Sequence, residues 1–514
     1  MRPPFPSNTM FQLPQPSRIE QPLLAIATEF PNRTAVISQS DSVTYSELLS
    51  LAAGTAAALR EVGARPGDHV AVFLDKSIEA VAALYGIWLL GAVGVPIYEG
   101  LKHRQVHHIL GHSSSRFLLT SERKRATLTG DTCVGVHVLI ASRRRDEPQE
   151  LSAPMTARQS TDPAVILYTS GSTGLPKGIV ISHANLVAGA RIVAGYLKLS
   201  ADDRILSVLP FSFDYGLNQL LTSVNVGAVL ALQRSHFPPD ICRSLLELDI
   251  TGMAAVPPLW IQLMSSLSPL KTLQLPKLRY ITNSGGRFPV ELVREYRRFL
   301  PHVSVYLMYG LSEAFRSTYL PPEYLDERPD SMGRAIPETE ILVVDGEDRL
   351  CGPDEVGELV HRGPTVALGY WNDSEATARA FRPDTLPGGQ PGSTIVFSGD
   401  LVRRDRDGFL SFVGRRDGMI KSQGYRISPE EVEETILASG LVDEVGVCGE
   451  PDELSGAAIV AHVVARNSTE FSAEALIKYC QREMPGYMVP HRIYPHAALP
   501  RTGSGKIDRK NLKP

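Results

Sequence analysis

Hydrophobic and polar positions follow two different periods in the first two hundred residues. Residues 69–74 (HVAVFL) form a short apolar run of the kind that fills a buried strand. Residues 46–62 and 77–90 instead repeat apolar side chains at the spacing of a helix. Strands and helices that alternate in this way predict an α/β fold built of layers.

The same alternation continues as far as Pro301 and then changes. Strand-like runs at 204–209, 227–232 and 278–282 are followed by a helical pattern at 290–299. Between residues 340 and 415 the chain instead contains short strands separated by Gly, Pro and Asp turns: ILVVD, GELVHRG, TIVFSGDLVRR and GFLSFVGR. We therefore predict a β-rich subdomain over residues 340–415.

After residue 415 the pattern describes a smaller unit that mixes helices and strands. Its predicted elements are a strand-like 419–427 (MIKSQGYRI), a helix at 429–439, strands at 444–449 and 457–465, and a helix at 473–483. The predicted organisation is a large N-terminal domain, residues 1–415, and a small mobile α+β domain, residues 416–514. Residues 1–18 are expected to form a loose arm.

Composition and charge limit the classes of protein to which this chain can belong. The chain has 514 residues, of which 43% are hydrophobic and 21% charged. A chain of this length usually folds into two or more domains and not around one hydrophobic core. A formal net charge of -4 gives no overall reason to bind nucleic acid or an anionic membrane, so neither is expected as a partner. Five scattered cysteines without CxxC spacing, and a proline-rich start without an apolar signal region, predict a cytoplasmic protein without structural zinc.

The most informative motif is residues 168–178 (YTSGSTGLPKG). Its glycines allow backbone N–H groups to approach phosphate oxygens, its hydroxyls can donate further hydrogen bonds, and Lys177 adds a positive charge. It is not a Walker A loop, because Pro176 stands where that motif requires glycine, which disfavours a P-loop phosphotransferase. Taken alone, a loop of this composition is more often a plain linker.

This loop resembles the signature of the adenylate-forming superfamily, which includes acyl-CoA synthetases, the adenylation domains of nonribosomal peptide synthetases, and firefly luciferase. Further motifs of that family follow in the same order, so the resemblance extends from about residue 19 to residue 510. They are 309–313 (YGLSE), 398–400 (SGD), 414–417 (GRRD), 421–427 (KSQGYRI) and 500–506 (PRTGSGK).

The resemblance implies that the protein uses ATP and Mg²⁺. Ser312 and Glu313 would contact the ATP phosphates, with Glu313 as a hard oxygen ligand for Mg²⁺. Asp400 would hold the ribose hydroxyls and Arg415 would lie near the ribose and the α-phosphate. Tyr309 would stack on the adenine. The other residues implied in nucleotide binding are Thr169, Ser170, Gly171, Ser172, Thr173, Gly174, Lys177, Gly285, Gly286, Arg287 and Gly310.

Two lysines are implied in catalysis. The counterpart of Lys506 bridges the substrate carboxylate and the phosphate, where a cation offsets the repulsion of two anions. After adenylation the small domain of the family rotates, so that the Lys421 loop replaces the Lys506 face and a pantetheine thiol can attack. Asp417 matches the hinge of that rotation, although Asp417-Gly418 also reads as a simple turn.

The identity of the acid depends on residues 209–217 (LPFSFDYGL). Many acyl-CoA synthetases have histidine where Phe213 stands, whereas peptide-synthetase adenylation domains carry Phe-Asp, whose aspartate pairs with the amine of an amino acid. Asp214 is the candidate for that contact, and a turn-forming aspartate is the alternative. Further candidates for the acid pocket are Tyr215, Asn218, Trp260, Asn283 and Leu311.

Two hypotheses for the whole reaction follow. The first is an amino-acid ligase that loads the phosphopantetheine of a separate carrier protein in specialised biosynthesis. The second is an acyl- or aryl-CoA ligase, favoured by residues 427–433 (ISPEEVE), which resemble the acyl-CoA synthetase form of this loop. Because no carrier domain follows Lys506, a free-standing ligase is expected. A non-catalytic relative is disfavoured by Lys177, Glu313, Asp400 and Lys506, and nothing in the sequence requires luciferase-like oxidation.

Overall fold

The structure is a computed structural model. It describes residues 16–39, 41–128, 130–133, 135–141, 159–169, 176–415, 419–466, 471–501 and 507–513. The predictions for most of the N-terminal arm, the centre of the phosphate loop, Asp417 and Lys506 therefore fall outside the described residues.

Amphipathic or fully apolar segments form most of the helices, while the short helix Glu122–Arg125 consists of charged residues. The bounds of the helices are α1 Gln21–Glu29, α2 Tyr45–Glu61, α3 Ile78–Leu90, α4 His103–His112, α5 Glu122–Arg125, α6 His183–Tyr196, α7 Asp214–Val226, α8 Pro238–Glu247, α9 Pro257–Met264, α10 Val290–Phe299, α11 Ser374–Ala380, α12 Pro429–Leu437 and α13 Ala473–Glu483.

The strands are mostly short. Their bounds are β1 Thr34–Ser38, β2 Asp41–Thr44, β3 His69–Phe73, β4 Val93–Pro96, β5 Phe117–Thr120, β6 His137–Ile140, β7 Pro163–Thr169, β8 Lys177–Ser182, β9 Arg204–Ser207, β10 Val229–Leu232, β11 Gly252–Ala255, β12 Tyr280–Asn283, β13 Ser304–Tyr309, β14 Thr318–Leu320, β15 Arg334–Ala335, β16 Glu340–Val344, β17 Val356–Arg362, β18 Gly369–Tyr370, β19 Phe381–Pro383, β20 Thr394–Arg404, β21 Leu410–Arg415, β22 Ile420–Ser422, β23 Tyr425–Ile427, β24 Val442–Asp452, β25 Gly456–Ala465 and β26 Arg492–Pro495.

Two large sheets form the body of the molecule. One has the strand order β15-β14-β13-β12-β11-β9-β10-β1-β2 and the other the order β18-β8-β7-β4-β3-β5-β6. The largest hydrophobic core contains residues of both sheets and of α2, α3, α6 and α7, so these helices pack between the sheets. The predicted α/β layers are confirmed.

Strand β3 shows why its apolar run is continuous. Val70 and Val72 point into the core between the sheets, while Ala71 and Phe73 belong to a second core on the opposite face, with α4. Because successive side chains of a strand point to opposite faces, a strand covered on both sides must be apolar throughout. Helix α3 is apolar for the same reason, since it is covered on all sides.

The predicted β-rich segment forms a sheet of its own. Strands β16, β17, β20 and β19 pair in that order, and β21 pairs with β20. The four runs predicted between residues 340 and 415 correspond to β16, β17, β20 and β21. This sheet brings Asp400, on β20, directly opposite Arg415, on β21.

The C-terminal part has a separate core. Strands β24, β25 and β26 form a three-stranded sheet, and α12 and α13 contribute to the same apolar cluster. The expectation of a single strand at residues 419–427 is wrong: β22 and β23 form a hairpin. Its turn consists of Gln423 (φ 51°) and Gly424 (φ 85°), left-handed conformations that reverse the chain tightly. Within the described residues, no helix combines the length and apolar character needed to cross a membrane.

Candidate active site

A single cavity collects residues from the large sheet, the β-rich sheet and the β22–β23 hairpin. Strands β9, β11, β12 and β13 run parallel, so the loops after their carboxyl ends meet at one edge, where α/β folds commonly bind ligands. The sequence-predicted residues that line the cavity are Thr169, Phe213, Asp214, Tyr215, Gly285, Gly310, Leu311, Ser312, Glu313, Asp400, Arg415 and Lys421.

Asp400 is the centre of one end of this cavity. Its carboxylate accepts a hydrogen bond of 2.5 Å from the Tyr309 hydroxyl and another from the Arg415 guanidinium, with which it forms an ion pair. Burial, together with the negative charge of Asp400, raises the pKa of Tyr309 well above its ordinary value. Tyr309 therefore stays protonated and donates. Its ring was expected to stack on adenine, and its hydroxyl is already committed to the carboxylate.

Lys421 reaches the same end from the C-terminal hairpin. Its Nζ atom lies 5.7 Å from the centroid of the Tyr309 ring. Burial lowers the pKa of Lys421 below the ordinary lysine value, although the nearby carboxylate of Asp400 opposes that shift. The lysine is thus placed beside an anionic group in a poorly solvated site, where a positive charge interacts strongly.

Glu313 connects the hairpin to the large sheet. Its Oε1 atom accepts hydrogen bonds from Arg426 Nη1 at 3.1 Å and from the Tyr370 hydroxyl at 2.8 Å. Arg426 stands opposite Lys421 in the β22–β23 pairing, so one hairpin supplies both cations. Arg426 and Tyr370 were not predicted from the sequence; the only signal for Arg426 was its place inside the KSQGYRI motif.

The hairpin packs directly on the loop that follows β12. A Cβ atom on Gly424 would lie 2.7 Å from Val256 Cγ1, and one on Gly285 would lie 3.3 Å from Gly424 Cα. Both glycines have positive φ angles, 85° and 83°. Side chains at either position would push the two backbones apart, so the close approach of hairpin and loop requires glycine at both.

Lys177 lies beside the predicted phosphate loop. It pairs in register with Thr169 across β7 and β8, and its Nζ atom lies 3.4 Å from Asp373 Oδ2 and 5.5 Å from the centroid of the Tyr370 ring. The residues between these strands, Ser170, Gly171, Ser172, Thr173 and Gly174, fall outside the described part of the chain. The described residues on either side of this segment, Thr169 and Pro176, both line the cavity.

The residues present fit a magnesium ion brought by a nucleotide. The structure shows no group of three or more His, Cys, Asp or Glu side chains that could hold a metal among the residues it describes. Mg²⁺ usually takes one or two protein carboxylates and completes its shell with phosphate and water oxygens. Glu313, a buried carboxylate in the cavity wall, matches that donor set. The ion would neutralise phosphate charge there.

Another end of the cavity contains a buried ion pair that was not predicted from the sequence. Asp214, the first residue of α7, is 4% exposed, and its Oδ2 atom lies 3.2 Å from Nη1 of Arg316, which is 2% exposed. Burial raises the pKa of Asp214, and the Arg316 charge opposes that rise. Asp214 was expected as a partner for a substrate amine, and the protein itself already provides it with a cation.

Aromatic rings line the passage between this end and the hairpin. Tyr425 and Tyr487 stack with their centroids 3.9 Å apart, and Tyr98 lies 5.9 Å from Tyr487. Phe213 lies 6.1 Å from Tyr425. All four line the cavity, but only Phe213 was predicted as a site residue; Tyr425 lies inside the KSQGYRI motif, and Tyr98 and Tyr487 lie in no motif.

Several predicted residues lie outside the cavity lining. Asn283 and Asn218 are buried, and Asn283 Nδ2 donates to the Gly286 carbonyl at 3.1 Å. Trp260 donates to the Ala255 carbonyl at 3.2 Å and packs against aromatic neighbours in the hydrophobic core that contains α8, α9 and α10, while Arg287 is exposed. Their predicted roles remain predictions, as do those of Asp417 and Lys506, which are not among the described residues.

Two family descriptions match this chain. Residues 24–371 match "AMP-binding enzyme" and residues 431–506 match "AMP-binding enzyme C-terminal domain". The two matches together take in the cavity-lining loops of the large sheet and the segment that contains Lys506.

Curated relatives fall into two groups. The chain is 29% identical over 486 residues to tyrocidine synthase 3 of Brevibacillus parabrevis, a match that covers 94% of this chain but only 7% of that much longer relative. It is 26% identical over 552 residues to the long-chain-fatty-acid–CoA ligase of Bacillus subtilis, covering 99% of this chain and 96% of the relative.

A solved enzyme resembles the chain over nearly its full length in two complexes. The o-succinylbenzoate CoA synthetase of Bacillus subtilis, as a double mutant bound to the product analogue OSB-NCoA, is 28% identical and covers 96% of this chain and 98% of its own, with a TM-score of 0.82. In complex with ATP and a magnesium ion, the same enzyme gives a TM-score of 0.68 at 28% identity and the same coverage.

Proposed function

The chain belongs to the AMP-binding enzyme family of adenylate-forming enzymes, and from that premise we propose that it joins a carboxylic acid to a thiol at the expense of ATP. The observation that carries the proposal is the shared cavity, in which Asp400 with Arg415, Glu313, Lys421 and Asp214 line one continuous space. A single space with a nucleotide end and an acid end is what a two-substrate condensation requires.

In the proposed first step, a carboxylate oxygen of the acid attacks the α-phosphorus of ATP and the bond to pyrophosphate breaks. The products are an acyl-AMP and pyrophosphate. Asp400 would position the ribose, and Arg415 would lie beside the α-phosphate. Lys506 is proposed to offset the charge that builds up as two anions meet. Its position after a glycine-rich stretch and the family match through residue 506 support that role.

In the proposed second step, a thiolate attacks the acyl carbon and AMP leaves with the electrons of the broken C–O bond. Lys421 lies near Asp400 and Tyr309, where it would stabilise the phosphate of the departing AMP. The higher TM-score against the product-analogue complex than against the ATP complex of the same relative supports assigning the described arrangement to this second step.

The buried Asp214–Arg316 pair supports an acid without an amine. A carboxylate whose charge is already balanced by a guanidinium at 3.2 Å gains little from a second cation. We therefore favour an acyl or aryl acid. The amino acid is the second candidate, and it is supported by the Phe213-Asp214 pair and by the likeness to tyrocidine synthase 3.

The thiol is proposed to belong to coenzyme A or to the phosphopantetheine arm of a carrier protein, which share the same pantetheine chemistry. The relatives named for CoA ligation support the first acceptor, and the likeness to a peptide synthetase supports the second. Adding CoA or a holo carrier protein to preformed acyl-AMP, and detecting the thioester by mass spectrometry, distinguishes the two acceptors.

Acid-dependent exchange of pyrophosphate into ATP tests the first step. A panel of amino, aryl and fatty acids with Mg²⁺ should contain at least one acid that drives exchange, and the best acid should lack an amine. If the best acid is an amino acid, and an Asp214→Ala variant shown by circular dichroism to be folded no longer supports its exchange, the amine-binding alternative is right. Exchange with none of the acids would contradict the proposed activity.

A further inference from the structure

Arg316 has more hydrogen-bonding capacity than the protein uses. Its Nη1 atom donates to Asp214, but its Nε and Nη2 atoms are buried and have no hydrogen-bond partner among the residues the structure describes. Buried donors are nearly always paired, because an unpaired donor loses its hydrogen bond to water without replacement, and the loss is greater for a charged group. Two unpaired nitrogens on one buried guanidinium therefore need an explanation.

The location of Arg316 supplies one. The residue lines the same cavity as Asp214, Tyr215 and Leu311, at the acid end. Its Cζ atom lies 4.7 Å from the centroid of the Tyr215 ring, so an aromatic face covers part of the guanidinium. The two nitrogens without a described partner, Nε and Nη2, form one edge of the guanidinium, and the parallel N–H groups of that edge match the two oxygens of a carboxylate or the lone pairs of another oxygen group.

The backbone holds Arg316 in place at a cost. The preceding residue, Phe315, has a φ of 55°, which is a strained conformation for an aromatic residue, and the Arg316 amide donates to the Ala314 carbonyl at 2.6 Å in a tight turn. The Phe315 ring packs so closely on α6 that a Cβ atom on Gly189 would lie 2.5 Å from its Cδ1 atom. Such strain is kept where the surrounding structure and the site require one orientation.

We propose that the acid substrate carries, away from its reacting carboxyl, a second oxygen group that accepts hydrogen bonds from Nε and Nη2 of Arg316. This inference rests on the proposed acid activation and specifies its substrate class. A carboxylate fits the edge with two parallel bonds, and a hydroxyl or carbonyl oxygen fits it with fewer. Plain alkyl and aryl acids would leave both nitrogens unpaired.

The test uses chain-matched acids that differ in one end group. Hexanoate, 6-hydroxyhexanoate and adipate form one series, with butyrate and succinate, octanoate and suberate, and benzoate and terephthalate as further pairs. Acid-dependent AMP formation by the full chain gives kcat and KM for each acid. A site built to hydrogen-bond a substrate group rejects the analogue that lacks it by up to about 10⁴–10⁵, so we expect at least about a hundredfold preference in one pair.

Variants of Arg316 separate recognition from a merely structural role. In Arg316→Met the preference should fall to about threefold or less, mainly through a higher KM for the acid with the oxygen group. Arg316→Lys keeps the charge without the parallel fork and should lose most of the preference as well. The paired substitution Asp214→Asn with Arg316→Gln removes both charges together, so it provides the same test if the single variants do not fold.

Three results would overturn the inference. They are equal use of both acids of every pair by the unaltered protein, preference for the plain acid, and loss of both acids of a pair by the same factor in the Arg316 variants. AMP formation with plain acids alone would leave the proposed activity standing while refuting the role of Arg316. If no acid yields AMP, the proposed activity fails. Thermal shifts with adipate and hexanoate, in the unaltered protein and in Arg316→Met, then decide the contact separately.

Discussion

The two ends of the cavity differ in how fully the protein satisfies its own charged groups. At the nucleotide end Asp400 is engaged by Tyr309 and Arg415, and Glu313 by Arg426 and Tyr370. At the acid end Arg316 has one carboxylate partner, and two of its nitrogens have none among the described residues. The first end is organised before a ligand arrives, whereas the second is incomplete.

This difference separates nucleotide binding, which all members of the family share, from acid specificity, which differs between members. A nucleotide is the same molecule for every member, so its end can be built from fixed pairs that a motif encodes. The acid varies, so its end must contain groups whose partner arrives with the substrate. We therefore expect substitutions at Asp400 to lower activity with all acids alike. Substitutions at the Asp214–Arg316 pair should lower activity with some acids more than with others.

The largest effect is expected on stability, when one partner of the Asp214–Arg316 ion pair is removed. Removing one partner of a buried ion pair leaves an uncompensated charge, so Asp214→Ala should lower the free energy of unfolding by about 3–5 kcal/mol. The matched control is Glu338→Ala, which removes the carboxylate from an exposed pair with Arg191 and should cost about 1 kcal/mol or less. Urea unfolding followed by circular dichroism measures both. Equal losses in the two variants would show that Asp214 and Arg316 are not effectively buried.

Next in size is the separation of the two half-reactions. Lys421→Ala should slow thioester formation from supplied acyl-AMP by about 10²–10³ while leaving pyrophosphate exchange nearly intact, because a preorganised cation is lost from one step only. Lys506→Ala should do the reverse. Lys478→Ala, an exposed lysine on α13 of the same small unit, is the control and should affect neither. Loss of both half-reactions in both variants would argue against alternating use of the two lysines.

A smaller effect is expected from neutralising Asp400. A hydrogen bond to a charged group contributes about 1.5–3 kcal/mol, so Asp400→Asn should lower kcat/KM for ATP roughly ten- to a hundredfold, by the same factor for every acid. Asp407→Asn removes an exposed carboxylate, beside the β20–β21 turn, that pairs with Arg328 and serves as the control. If the effect of Asp400→Asn depended on the acid, Asp400 would contribute to acid recognition, and the two ends of the cavity would not have separate roles.

The smallest effect concerns pH. Burial lowers the pKa of Lys421, and the charged form exists below that pKa. If the cation assists departure of AMP, thioester formation should decline as pH rises through a value below the ordinary lysine range. In Lys421→Arg the decline should shift to higher pH, since arginine stays protonated. Pyrophosphate exchange should not show this decline at high pH. The same decline in Lys421→Ala would assign it to another group.

The sequence predicted elements well where periodicity was strong. The helices at residues 290–299 and 473–483 have the predicted bounds, because each is amphipathic and begins and ends at clear signals. The hairpin of β22 and β23 was taken for one strand, since its reversal depends on positive φ angles at Gln423 and Gly424 that an apolar pattern does not reveal. The pairing of Asp400 with Arg415, fifteen residues apart in the chain, likewise depends on the register between β20 and β21, which the sequence pattern does not reveal.

The nucleotide end was predictable because its residues sit inside motifs, and the acid end was not. Arg316 follows the motif at 309–313 by only three residues, yet its position depends on the turn at Phe315 and on a partner about a hundred residues earlier in the chain. No local propensity encodes such a contact. The tyrosines at 98, 425 and 487 were missed for the same reason. Tyr425 and Tyr487 stack within the small unit, and Tyr98 contacts them only where the small unit packs on the large one.

The function proposed here requires that one cavity couples an acid to ATP through an adenylate. The most direct measurement is the product balance of a single reaction with the best acid, ATP, Mg²⁺ and a pantetheine thiol, resolved by ³¹P NMR and mass spectrometry. We expect one AMP, one pyrophosphate and one thioester per acid consumed, with acyl-AMP accumulating when the thiol is omitted. Formation of ADP and phosphate, or ATP cleavage that is independent of the acid, would contradict it.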